Sequence, residues 1–273
     1  MLDRRWLALA AILLACYGCA AGSDSEDGGE STTQTTTDGD GASSGSLFFL
    51  HHSVGDGLIV EGNMRSAIAS FNAQRGTSFA FWDHGYNGDG LRNAEGEFTG
   101  TSYEVPGDNT DPDGLHMLWT SSDGDWAACR SRILANHWLI AFKSCFPSSA
   151  IPDNDTLQQY KQWYLRMRDV FDSRPDHVFV VMSTPPLHRL ATNSSEAANA
   201  RAFADWLCGE EYLSGHSNVA CFDLFDHLAA GDGRLRREYE MDPNDSDSHP
   251  NALANQTVGP IFADFLCQVA ASH

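Results

Sequence analysis

The chain has 273 residues, 42% of them hydrophobic, and sets 37 Asp and Glu against 17 Lys and Arg for a formal net charge of -20. The length is enough for one large core. The charge excludes the partners that clustered Lys and Arg recognise, namely DNA, RNA and anionic membrane surfaces, and most of it reads as a solvated acidic surface.

From the amino end, Arg4 and Arg5 precede the apolar run WLALAAILLA, which is short for a permanent span and has the length of a signal-peptide core. It ends in LLACYGCA, whose Cys16 and Cys19 resemble the lipobox of bacterial lipoproteins. Two readings stand: acylation at Cys19 (alternatively Cys16), or plain secretion with cleavage near Ala20. Residues 20–46 then contain no aromatic, no aliphatic larger than Ala and no base, so they cannot bury enough surface to offset their ordering entropy. As a coil they reach about 30 Å. The division is therefore 1–19 signal peptide, 20–46 acidic tether and 47–273 one folded domain. By resemblance to lipoprotein sorting, the expected location is the bacterial envelope, at the outer membrane, with membrane contact only through the lipid.

Within the domain, short runs rich in aromatic and β-branched residues alternate with helical periodicity. LFFL (47–50) predicts a first strand and breaks into HHSVGDG, where a serine is followed by Gly55 and Gly57. A helix over 63–74 and a strand over 78–82 follow, then the glycine-rich turn DHGYNGDGL (83–91). The acidic segment DNTDPDG (108–114) resembles part of a calcium loop but has Thr120 where the closing Glu belongs, so a solvated insertion is the stronger reading. A strand over 137–142 leads into KSCFPSS. Leu157, Tyr160, Tyr164, Met167 and Phe171 predict a helix over 155–171, behind an Asp155/Gln158 capping box. Strands at 177–183 and 219–225 and helices at 195–208 and 255–272 complete the pattern. Alternating strands and helices imply a parallel sheet covered on both faces, with reactive residues at the carboxyl ends of its strands.

Five cysteines lie in the domain, an odd number, and Cys208 and Cys221 close a short loop that is the first pair to expect in an oxidising compartment. Cys-x-x-Cys and His-x-x-x-His spacings do not accompany them, so no metal and no cofactor is expected.

Four segments would meet at one edge of the sheet: HHS (51–53), DHGYNGDG (83–90), KSCFPSS (143–149) and DSDSHPN (245–251). In this arrangement the chain resembles the SGNH hydrolases, the GDSL-like lipase and esterase superfamily. The resemblance implies a three-layer α/β/α sandwich with a central parallel, flavodoxin-like sheet. It makes Ser53 the nucleophile and His249, in His249-Pro250-Asn251, the base. It places Gly88 in the role of the glycine that offers an oxyanion N–H. Ser246 occupies the family's acid position, and of the flanking carboxylates Asp247 is taken over Asp245. The family's third-block Asn is replaced by Lys143-Ser144-Cys145, so the oxyanion donors would be the N–H groups of Ser53 and Gly88 with Ser144 or Lys143 as the third.

A serine hydroxyl becomes a nucleophile when an imidazole takes its proton, and a carboxylate then fixes the tautomer and stabilises the imidazolium. Two functions fit this pattern. One is an envelope-anchored serine esterase acting on small-molecule or carbohydrate esters such as acetyl esters; the other is a ligand-binding lipoprotein that keeps the fold without the chemistry. Phe81, Trp82, Tyr86, Trp119, Trp126 and Trp138 suit sugar stacking or an ordinary core equally well.

Overall fold

The structure, a computed structural model, describes residues 45–273. The readings for the signal peptide, Cys16, Cys19 and the tether up to residue 44 lie outside those residues. In chain order the elements are β1 (Ser46–Leu50), α1 (Ser53–Val60), α2 (Met64–Arg75), β2 (Ala80–His84), β3 (Leu91–Arg92), α3 (Pro112–Thr120), α4 (Gly124–Asn136), β4 (Leu139–Lys143), α5 (Asn154–Asp172), β5 (Val178–Met182), α6 (Ser194–Leu207), α7 (Glu210–Leu213), β6 (Val219–Phe222), α8 (Leu224–Leu228) and α9 (Ala252–Ala271).

The strands form one sheet of order β3-β2-β1-β4-β5-β6, parallel throughout except for the two-residue β3. Side chains alternate across a strand, so each central strand feeds two cores. Phe48 and Leu50 join Ile140, Phe142, Phe179 and Val181 on the face covered by α3 to α6. Leu47 and Phe49 join Leu139, Ala141, Val180 and Met182 on the face covered by α1, α2 and α9. This double burial is why β1, β4 and β5 read as unbroken apolar runs. Without β3 the order is that of a flavodoxin-like sheet, whose topological switch lies between β1 and its neighbour β4.

Several sequence boundaries shift. The second strand starts at Ala80 and extends through Asp83 to His84, so its turn begins at Gly85. The run over 219–225 is divided, since Asp223 caps α8 and Leu224 and Phe225 belong to that helix. The cap of α5 is Asp153, whose side chain accepts from the Thr156 N–H, rather than Asp155. The partial calcium loop is an approach to α3: Asn109 accepts from the Asp111 N–H, and Pro112 opens the helix. Cys208 and Cys221 are bonded, tying the end of α6 to β6, while Cys129, Cys145 and Cys267 are free.

Candidate active site

β1 and its neighbours end level, with Leu50 opposite His84 on one side and Phe142 on the other. The chain then reverses tightly into α1. His52 is extended (φ -125°, ψ -157°), and α1 begins at Ser53. A glycine is required two residues after Ser53, because a Cβ at Gly55 would lie 2.3 Å from the His51 Cβ. As the first helical residue, Ser53 holds an N–H without an intrahelical acceptor and sits at the positive end of the helix dipole.

Ser53 Oγ lies 2.8 Å from His249 Nε2, although 196 residues separate them. His249 Nδ1 is 2.6 Å from Asp247 Oδ1. A carboxylate oxygen only accepts, so the ring proton is on Nδ1 and Nε2 is left to receive the serine proton. The His249 backbone N–H also donates to Asp247 Oδ1, at 3.0 Å. This bond, ahead of the one from the imidazole, holds the Asp247 carboxyl below its ordinary range. Asp245 is turned away into a local loop, where its Oδ1 accepts from the Ser246 and Asp247 N–H groups.

Ser53 borders a cavity of about 340 Å³ shared with His51, His52, Gly85 and Tyr86, into which Asp56, Asp89 and Arg92 also open. None of the described residues lining it is aliphatic. Beneath the serine turn, His51 Nε2 lies 3.1 Å from Asp83, and Arg65 binds the other oxygen of the same carboxylate. Burial would raise the Asp83 pKa, but His51 and Arg65 outweigh it and the group stays below its ordinary value. His52 stacks on Tyr86 at 3.9 Å, and its Nδ1 is 3.2 Å from both Thr110 Oγ1 and Cys145 Sγ. Burial lowers His52 to about 4, so it is neutral at pH 7.

The remaining predicted residues lie elsewhere. Gly88 is exposed on the turn and is not part of the cavity wall; the glycine that lines the cavity is Gly85. Lys143 is fully buried, its Nζ donates to the Ser144 carbonyl at 3.0 Å, and burial lowers its pKa to about 8. The Ser144 hydroxyl is buried against Ser148 Oγ at 2.6 Å. Neither lines the cavity. Of the six aromatics considered for stacking, Tyr86 alone borders it. Sequence reasoning missed Gly85, Asp56, Asp83, Asp89 and Arg92. The available signal was the polar Asp83-His84 pair at the end of a buried strand.

A larger cavity of about 590 Å³ opens at the amino ends of the strands, by Phe79, Trp82 and His137. There Ser46 Oγ lies 2.9 Å from His137 Nδ1, but the other ring nitrogen faces the Tyr103 hydroxyl at 2.6 Å and not a carboxylate. Burial lowers His137 to about 3, so this pair lacks a usable base. The smaller cavity is the one that borders the Ser53–His249–Asp247 contacts.

No protein-family profile and no curated protein matches the chain. Among solved structures, a protein assigned as an acylhydrolase from Bacteroides fragilis is similar at 9% identity and a TM-score of 0.49, over 83% of this chain and 88% of that one. A gut microbial diltiazem-metabolizing enzyme aligns at 13% identity and a TM-score of 0.48, over 81% of this chain and 46% of its own. A GDSL-like lipase from Bacteroides thetaiotaomicron aligns at 7% identity and 0.41, over 82% and 89%. Likenesses this distant carry no weight for activity, which rests on the residues described above. The described chain is a three-layer α/β/α sandwich around a mostly parallel, flavodoxin-like sheet, with Ser53, His249 and Asp247 in contact beyond the carboxyl ends of its central strands.

Proposed function

We propose that the protein is a serine esterase that cleaves short acyl esters of polar, hydroxyl-rich alcohols such as acetylated carbohydrates. The observation that carries this reading is the Ser53–His249–Asp247 chain, with contacts of 2.8 and 2.6 Å, at the rim of a cavity. Ser53 attacks the ester carbonyl as His249 Nε2 takes its proton, and Asp247 stabilises the imidazolium. His249 then returns the proton to the departing alcohol, and a water molecule cleaves the acyl-serine by the same route. The oxyanion is held by the N–H groups of Ser53 and Gly85, where the helix dipole adds to the field.

The cavity wall supports the substrate class. Carboxylates, a guanidinium, imidazoles and a phenol line it, and these groups match sugar hydroxyls rather than a long acyl chain, whose burial needs apolar surface. Tyr86, 40% exposed, offers a face for stacking. The envelope anchor through Cys19, or Cys16, belongs to the same proposal, and an unmodified mature amino terminus beyond Ala20 in mass spectrometry overturns it. For the chemistry, acetylated sugars and acetyl aryl esters should be hydrolysed, long-chain esters should be poor substrates, and Ser53→Ala should be inactive. A folded protein that cleaves none of them overturns the esterase reading.

A further inference from the structure

Behind the catalytic loop lies a second set of polar side chains that the reaction does not use. Glu240 and His188 have side chains 1% and 0% exposed, with Nε2 of His188 3.3 Å from Glu240 Oε1. Arg189, on the same loop as His188, binds that carboxylate oxygen. The Leu190 N–H donates to His188 Nδ1, so the ring proton is on Nε2, which lies near Glu240 Oε1 without a hydrogen bond to any described residue. Glu240 Oε2 has no hydrogen-bond partner among the described residues. A buried carboxylate with one idle oxygen is expensive to keep in a purely structural place, where an apolar residue would serve as well.

The three residues also grip the segment that carries Asp247 and His249, Arg189 through its side chain and His188 and Glu240 through their backbones. Arg189 donates its second nitrogen to the Pro243 carbonyl at 2.7 Å. The His188 N–H donates to Ser248 Oγ at 3.0 Å, and Ser248, 1% exposed, lies between the two catalytic side chains. The Glu240 backbone pairs with Pro250, and Asn251 donates its side-chain amide to the Glu240 carbonyl at 3.0 Å. The segment is therefore fastened before, between and after the acid and the base. Ser248 points inward, so its neighbours Asp247 and His249 are left on the outer side, toward Ser53.

We propose that Glu240, Arg189 and His188 are positioning residues that hold Asp247 and His249 in register with the nucleophile. Glu240 orients Arg189 on Pro243 and abuts His188, and the loop keeps the 2.6 Å Asp247–His249 contact because its fastenings are rigid. This rests on the esterase reading, and misplacing a catalytic group by about 1 Å can cost about 100-fold in rate.

The test is steady-state kinetics on an acetyl ester, with proton NMR of the His249 Nδ1–H resonance, on the wild type, Glu240→Gln and Arg189→Ala. The expected result is a kcat lowered about 10- to 100-fold in both variants, KM within about twofold, and loss or broadening of the downfield resonance. Arg189 is 23% exposed, so its variant tests the proposal even where Glu240→Gln does not fold. Wild-type kcat and an unchanged resonance in a folded variant overturn the proposal, as does a lowered melting temperature with kcat intact. If the wild type itself is inert toward esters while the resonance responds to both variants, the positioning role stands and the esterase reading falls.

Discussion

At Asp83 the Arg65 guanidinium and the His51 ring share one buried carboxylate, and its depressed pKa ties stability to pH. A lowered folded-state pKa means that its stabilisation is fully present above the ordinary carboxylate value of about 3.9 and is lost as pH falls through the folded value. Asp83→Asn leaves Arg65 and His51 facing a neutral amide and should cost about 3 to 5 kcal/mol near pH 7. The gap should narrow toward pH 3, as melting curves of both proteins across that range will show; a gap that is constant with pH contradicts the assignment. At the acid of the triad, Asp247→Asn should lower kcat about 10⁴-fold with the fold intact, because the amide no longer fixes the Nδ1–H tautomer. Asp245→Asn should be mild, since Asp245 accepts only from the local Ser246 and Asp247 N–H groups. Kinetics on the two variants decide between them. Ser53, His249 and Asp247 were legible in the sequence because HHS, HPN and a nearby carboxylate are local signals. That Gly85 rather than Gly88 lines the cavity was not legible, because it requires knowing that β2 runs to His84.

Among the elements, α9 delivers the base, since the catalytic loop runs directly into its cap Asn251. Its register against α1 is set by two glycines. A Cβ at Gly259 would lie 2.6 Å from the Leu58 carbonyl oxygen and 2.7 Å from the Gly62 Cα, and both obstacles are backbone. Gly259→Ala should therefore shift the helix, destabilise the fold by about 1–3 kcal/mol and reduce kcat along with it, as denaturant unfolding and kinetics will report. The strands β1, β4 and β5 could be read from sequence because burial on both faces makes them apolar throughout. By contrast, α1 was hidden: SVGDGLIV carries two glycines and weak helix formers, and the helix forms because Val54, Leu58 and Ile59 pack against α9 and its neighbours. Likewise α4 buries only Cys129 and Ile133, too few for a periodic signal.

For the whole molecule, the Cys208–Cys221 bond closes a loop of 13 residues, which restricts the unfolded chain by about 3 kcal/mol in the chain-entropy treatment. Reductant should lower the denaturation midpoint accordingly while leaving native turnover unchanged, because the bond joins α6 to β6 away from Ser53; unfolding and activity with and without dithiothreitol test both parts. The layer order was available from sequence as alternating strands and helices, and the switch point it implies is where the site stands. The cavity's polar wall was not available, since Asp56, Asp89 and Arg92 come together only through the turn after β2 and the first turns of α1. In the proposed mechanism Ser53 is activated by His249. The most direct measurement of this activation is covalent labelling with a fluorophosphonate probe, followed by mass spectrometry of the labelled peptide. Ser53 should be the modified residue, and labelling should vanish in Ser53→Ala and His249→Ala. A folded wild-type protein that resists the probe, or that is labelled equally well in His249→Ala, contradicts the account.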